Sequence, residues 1–217
     1  MLKKVLLGLT LLGTVAFGLD LKNETEIKNI YYTLNLDSKL EYSTFLKAIH
    51  GYNKIEEKKE GFITIIDFSK PSNEERFFVI DLENKKVDYS TYVSHGKNTG
   101  LDTAVKFSNK MNSYQSSLGF YLTDQTYTGS NGYSLRLKGL EPGINSNALA
   151  RHIVVHGADY ATKEFMDKYG FLGRSLGCPA IPEEISKEVI DYIKGGTVLY
   201  INGNDDSYFE KSNYATL

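Results

Sequence analysis

The strongest constraint on the fold is a change of rhythm at Gly61. From residue 24 to 57 the chain carries one glycine, Gly51, and its apolar residues fall at helical spacing: Ile27, Ile30 and Tyr31, then Leu40, Phe45, Leu46 and Ile49. Two amphipathic helices fit, joined near Asp37 and Ser38, with Ser38 capping the second and Glu41 completing a capping box. His50 falls near the end of that helix and reads as a surface or packing residue. After Gly61 the pattern becomes a series of short β-branched and aromatic runs, at 62–68, 76–82, 86–94, 118–123, 133–137, 152–155 and 197–201. Turn residues separate them, Glu83-Asn84-Lys85 and Gly129-Ser130-Asn131-Gly132 among them. Helical pattern returns only at 163–169, stopped by Gly170, and at 183–194, which starts beside Pro182 and stops at Gly195-Gly196. The expected fold is mainly β with a few helices, a sandwich or barrel-like sheet carrying an N-terminal helical extension.

The first residues read as an address. Lys3 and Lys4 precede an apolar run from Val5 to Phe17 that ends in Ala16-Phe17-Gly18, the pattern of a secretory signal peptide. The run is shorter than the about 20 apolar residues that span a bilayer. The expected organisation is a signal peptide at 1–18, a helical extension at 19–58, a catalytic domain at 59–203 and a C-terminal tail at 204–217. The protein is expected to be exported, to the periplasm or cell-wall space, with no stable membrane insertion after cleavage. A formal net charge of -2, with lysine and arginine spread along the chain, offers no basic stripe for nucleic acid.

Export makes the single cysteine informative, because an unpaired thiol in an oxidising compartment is a liability unless it is buried or reactive. Cys178 lies in Arg174-Ser175-Leu176-Gly177-Cys178-Pro179-Ala180-Ile181-Pro182. Pro179 disfavours helical backbone at Cys178, and Gly177 can take conformations closed to other residues, so the thiol is expected in a turn. A nucleophilic thiol needs a base, and all four histidines precede it. That order excludes papain-like proteases, and sortases need an arginine beyond the cysteine. His156, followed by Gly157, is read as ending a strand that runs through His152, and is the candidate base. His152 and His156 would lie roughly 13 Å apart on one strand face, too far to share a metal. His152 reads as structural, and His95 is left open with a structural lean.

These residues resemble a family. His156-Gly157 followed by Ser175-Leu176-Gly177-Cys178 is similar to the active-site signature of the YkuD-like L,D-transpeptidases of bacterial cell walls. More narrowly, Val155-His156-Gly157-Ala158-Asp159-Tyr160 with Gly173-Arg174-Ser175-Leu176-Gly177-Cys178-Pro179 resembles the murein L,D-transpeptidase catalytic domain family. Phe78-Val79-Ile80-Asp81-Leu82, Ser94-His95-Gly96-Lys97-Asn98-Thr99-Gly100, Phe107-Ser108-Asn109 and Ser116-Ser117-Leu118-Gly119-Phe120-Tyr121 match in order, so the likeness runs from residue 40 to 203. Many members of the wider family carry histidine where this chain has Leu176, and arginine where it has Ala180.

The resemblance implies a peptidoglycan L,D-transpeptidase that forms 3-3 crosslinks through a cysteine thioester and releases D-alanine. Its partners would be donor and acceptor stem peptides, with no cofactor and no metal. Cys178 would be the nucleophile, His156 its base, Gly157 O the group that orients the imidazole with Asp159 as a weaker option, and the N–H groups of Gly177 and Cys178 the oxyanion hole. Arg174, Ser175 and Tyr160 would bind substrate; Arg174 or Arg151 could stand in for the missing arginine, but strand alternation puts Arg151 on the face away from His156, which leans it toward a structural role. Acylation of Cys178 by carbapenems is expected. Two alternatives remain: an L,D-carboxypeptidase that trims tetrapeptides, and a non-catalytic cell-wall-binding module.

Overall fold

The computed structural model describes residues 21–216, so the leader expected at 1–18 lies outside the described residues. Two helices come first, α1 at Glu24–Thr33 and α2 at Tyr42–Lys54. Asn23 caps α1, its side chain accepting from the N–H groups of Thr25 and Glu26, and Glu24 and Glu26 sit favourably at the positive end of the helix dipole. The cap expected at Ser38 does not form. Leu36 O accepts from Lys39 N and Leu40 N in a turn, and α2 begins after Glu41 with no side-chain cap. Tyr31 Oη fixes that turn by donating to Leu40 O at 2.6 Å. The helices share one apolar core with the strands. At Gly51 the contact is closest, since a Cβ there would lie 2.0 Å from the ring of Phe120.

The strands are β1 Phe62–Asp67, β2 Phe77–Asp81, β3 Lys86–Thr91, β4 Gly119–Gly129, β5 Gly132–Gly139, β6 Val154–Ala158, β7 Ala180–Pro182 and β8 Val198–Asn202. They form one sheet in the order β3-β2-β1-β8-β4-β5-β6-β7. Neighbours are antiparallel except β1 with β8 and β6 with β7. The central strands β2 and β8 are buried at every residue, as expected where both faces are covered. Helix and strand occur in about equal measure among the described residues.

The β6–β7 pair positions the cysteine. A parallel pair needs a crossover, and here it runs through a 3-10 turn at Asp159–Ala161, helix α3 at Lys163–Tyr169 and the cysteine turn. Gly170 ends α3 with φ of 81°, a left-handed conformation that glycine adopts without strain. Helix α4, Glu183–Ile193, follows β7 and packs on β6, where a Cβ at Gly157 would lie 2.4 Å from Ser186 Oγ. The free edge of β7 is covered by Ser94, whose N–H donates to Ala180 O at 2.7 Å.

Two sequence expectations change here. The strand assigned to 152–155 begins later, at Val154, because residues 147–153 form turns of their own. Arg151 N donates to Asn147 O, His152 N to Leu149 O and Ile153 N to Ala148 O. His152 therefore lies outside the strand with φ of 55°, and His156 is the third of five strand residues rather than the last. Residues 206–211 form a further helix, α5, held by a buried carboxylate. Glu141 accepts from Phe120 N and Ser212 Oγ, and Tyr208 Oη on α5 lies 3.4 Å from Oε2. Among the described residues no helix is long and apolar enough to cross a membrane.

Candidate active site

Cys178 stands at the end of a turn closed by Ser175. The Ser175 hydroxyl donates to Cys178 O at 2.6 Å and accepts from Gly177 N at 3.1 Å. Gly177 has φ of 125°, and a Cβ there would lie 2.9 Å from Gln115 O, so both backbone conformation and space call for glycine. Ser116 Oγ donates to Gly177 O at 3.1 Å and accepts from Gly96 N. On the opposite side, Ser175 N donates to His95 O and Lys97 N to Ser175 O. The turn is thus fixed by two segments distant in sequence, 95–97 and 115–116.

The thiol is buried, the whole residue being 8% exposed, and Sγ donates to His152 O at 3.5 Å. Burial pushes its pKa above the ordinary thiol value, opposed by the N–H of Val154 and the charge of Arg151. Among the described residues the N–H of Cys178 has no acceptor, whereas that of Gly177 is held by Ser175.

His156 is buried on β6, paired with Ala180 of β7, and its N–H reaches Pro179 O at 3.4 Å. The backbone therefore brings the imidazole strand to within one residue of the cysteine. Nδ1 lies 2.9 Å from Gly157 O. A carbonyl only accepts, so Nδ1 carries the proton and Nε2 keeps its lone pair. Burial draws His156 below the usual histidine pKa, against the pull of the Gly157 carbonyl, and favours this neutral form. Among the described residues no hydrogen bond joins Sγ to His156. Asp159 is exposed and does not pair with the imidazole.

The other expected residues divide. Tyr160 lies close enough to sense Cys178, and its hydroxyl is pushed up to about 12 by burial first and then by the cysteine. Gly173 lets it approach, since a Cβ there would lie 2.4 Å from Tyr160 Cβ. Arg174 is exposed, reaches Gly100 O at 3.4 Å and has no carboxylate partner among the described residues. The hydroxyl of Ser175 is engaged inside the turn, and contact with a substrate would require those bonds to open. Leu176 is 60% exposed and points away from the core.

His95 is held in a hydrogen-bond network of its own. Its Nδ1 accepts from Arg76 Nη2 at 2.8 Å, and Nε2 donates to Gly100 O at 3.2 Å. Arg76, buried completely, also donates to Val93 O and Lys70 O. Sequence reasoning passed over Arg76, and no local signal marks it. Arg151 was assigned to the far face by strand alternation, yet its guanidinium lies beside Gly177 because residues 147–153 are turns. Among the described residues no cluster of three or more His, Cys, Asp or Glu is placed to hold a metal ion. A groove of about 650 Å³ between Thr123, Thr126, Lys138 and Gly196 includes neither Cys178 nor His156.

The profile of the L,D-transpeptidase catalytic domain matches residues 36–202. The chain belongs to that family. The match covers β1 through β8 together with the cysteine turn, and the YkuD-like fold expected from the sequence is the fold observed. None of the curated proteins matches the chain at a significant level. Solved L,D-transpeptidases are similar at low identity. One from Stackebrandtia nassauensis is 15% identical, with a TM-score of 0.40 over 83% of this chain and 78% of its own. One from Mycobacterium smegmatis is 12% identical, with a TM-score of 0.41 over 66% and 59%. A helical cell shape determining protein from Campylobacter jejuni is 11% identical, with a TM-score of 0.44 over 76% and 57%. The chain spans about three-fifths of the length of the mycobacterial enzyme, and the family assignment rests on the profile match.

Proposed function

We propose that this L,D-transpeptidase family member is an exported cysteine acyltransferase acting on peptidoglycan stem peptides, with Cys178 as nucleophile and His156 as general base. The observation that carries the reading is the tautomer of His156. Nδ1–H on Gly157 O leaves Nε2 as a proton acceptor on the strand paired with the one that follows Cys178. In the resting protein the thiol proton points to His152 O, so the first step is rotation of Sγ toward Nε2.

Sγ then attacks the carbonyl that joins the third stem residue to D-alanine, and its proton passes to Nε2. An S–C bond forms, and the charge on the carbonyl oxygen falls to donors already in place, the unpaired N–H of Cys178 first among them. The C–N bond breaks as His156 returns the proton to the departing D-alanine amine. An amine on a neighbouring stem attacks the thioester, gives its proton to Nε2 and restores the thiol, leaving a 3-3 crosslink. Arg174, exposed and without an acidic partner, has the geometry to hold a stem carboxylate through two parallel bonds, and Tyr160 flanks the thiol.

One observation favours hydrolysis as the competing fate. Leu176 stands where many relatives carry histidine, and its side chain faces solvent instead of drying the pocket. An L,D-carboxypeptidase, in which water takes the place of the acceptor amine, is therefore the second reading. Purified muropeptides incubated with the protein and analysed by mass separate the cases. Crosslinked dimers support the first reading and tripeptide with free D-alanine the second; unchanged muropeptides would leave a wall-binding module. A carbapenem adduct seen by intact mass and absent in Cys178→Ala would locate the nucleophile independently.

A further inference from the structure

The acyl-transfer scheme makes no use of Arg151, yet this half-buried guanidinium lies against the cysteine turn. It donates to Ser108 O at 2.6 Å and to Ser117 Oγ at 3.3 Å through Nη1, and to Ser113 Oγ at 3.3 Å and Gln115 O through Nη2. Every one of these acceptors belongs to residues 108–117, the segment that touches the turn. Ser116 holds Gly177 O, and Gln115 O lies 2.9 Å from where a Gly177 Cβ would stand. Nη2 of Arg151 lies 3.3 Å from that same point. The next residue, His152, is in a left-handed conformation, and its carbonyl receives the thiol proton. One short stretch of backbone thus delivers both the acceptor for the resting thiol and the cation nearest to it. Among the described residues no carboxylate pairs with Arg151, so its charge is not neutralised locally.

We propose that Arg151 is a positioning residue for Cys178, clamping segment 108–117 onto the Gly177–Cys178 turn and placing a fixed positive charge beside the sulfur. This rests on the reading of Cys178 as the nucleophile. The protonated thiol has a partner in His152 O, but a thiolate is repelled by that carbonyl and must be stabilised from elsewhere. The Val154 N–H and Arg151 are the groups that do so. The remaining titratable groups around them are His156 on β6, neutral with Nδ1 on Gly157 O, Tyr160 from the 3-10 turn, raised by burial, and Tyr121 on β4. Tyr121 faces Arg151, is raised beyond its ordinary range by burial, and remains protonated. Arg151 is therefore the only fixed positive charge of this group.

The test is the pH dependence of Cys178 alkylation by iodoacetamide, which forms an S–C bond with the thiolate and releases iodide. The full chain is compared with R151Q, which keeps amide donors and loses the charge, and with R151K, which keeps the charge and loses the fork; Cys178→Ala is the blank. The alkylation midpoint of R151Q is expected about one unit above wild type, at the low end for a charge close to a thiol, while R151K holds the wild-type midpoint. A midpoint unchanged in R151Q, or raised equally in both variants, overturns the proposal. If R151Q does not fold, R151K decides, a held midpoint supporting the proposal and a rise overturning it. Alkylation needs no stem peptide, so the two readings fail separately. Unchanged muropeptides with a shifted R151Q midpoint would reject only the transpeptidase reading, and crosslinking with no shift would reject only the role of Arg151.

Discussion

Two buried histidines, His95 and His156, lie on either side of the cysteine turn, and they differ in what is left over. At His95 both ring nitrogens have a partner. Nδ1 takes a hydrogen bond from Arg76, Nε2 gives one to Gly100 O, the ring meets Phe68 edge-on at 5.8 Å, and Arg76 has its own acceptors in Val93 O and Lys70 O. At His156 one nitrogen is held by Gly157 O and the other has no protein partner among the described residues. Both are drawn below the ordinary histidine pKa by burial, His95 to about 4 with Arg76 as the second cause. Burial and a depressed pKa therefore do not mark out the proposed base. The unfilled hydrogen-bonding position does. The regions are in contact, since Ser175 N donates to His95 O, so a disturbance at the first reaches the cysteine turn through backbone.

The sharpest way to break this contrast is to exchange its two histidines for alanine. His156→Ala should lower muropeptide turnover by about 10²- to 10⁴-fold with little change in melting temperature. His95→Ala should act through stability, because it strands one of the two N–H groups of Arg76 Nη2 in the interior and takes from Gly100 O its ring N–H donor. Equal losses of turnover in well-folded forms of both variants would mean that the base is misassigned.

Next in size is the arginine of the structural cluster. Arg76→Met removes the donors to Val93 O, Lys70 O and His95 Nδ1 together, and is expected to lower the unfolding free energy in urea by about 3 kcal/mol or more, at about 1–3 kcal/mol for each stranded acceptor. Arg151→Gln, half-buried and keeping part of its hydrogen bonding, should lose about 1–2 kcal/mol. Similar losses at both would erase the distinction between a buried keystone and a positioning charge.

Acid should act on the same cluster. The folded His95 pKa of about 4 lies below the unfolded histidine value, so between the two the unfolded chain binds more protons. Stability is then fully present above about pH 6.5 and falls as the pH drops toward the folded value, by roughly 3 kcal/mol from His95 alone. His156 contributes with the same sign. Urea midpoints measured down this range should fall more steeply for wild type than for His95→Asn, and parallel curves would contradict the assignment.

The smallest effect is expected at Leu176. With its side chain in solvent, Leu176→Ser should change stability by less than about 0.5 kcal/mol. It should alter the ratio of crosslinked dimer to tripeptide only slightly. A large swing in that ratio would show that the leucine covers the acyl-enzyme when substrate is bound.

What the sequence determined by itself was set within a few residues. Gly170 stopping α3 and the non-helical cysteine turn with Gly177 at positive φ follow from local backbone sterics that glycine and proline announce. The pairing of His156-Gly157 with the cysteine turn was likewise readable, from the resemblance its motifs carry. Alternation, by contrast, misplaced residues 151–153, because it assumes an extended chain, and turn hydrogen bonds from 147 onward replace the ladder there. The three-residue β7 was too short to show a period, and the helix at Asp206–Lys211 depends on Glu141, far away in sequence. The pairing of Arg76 with His95, the reach of Arg151 to Ser108 and the exposure of Leu176 were decided only by tertiary structure. Each depends on which distant backbone carbonyls and side chains the folded sheet brings within hydrogen-bond reach, and that property belongs to no short stretch of chain.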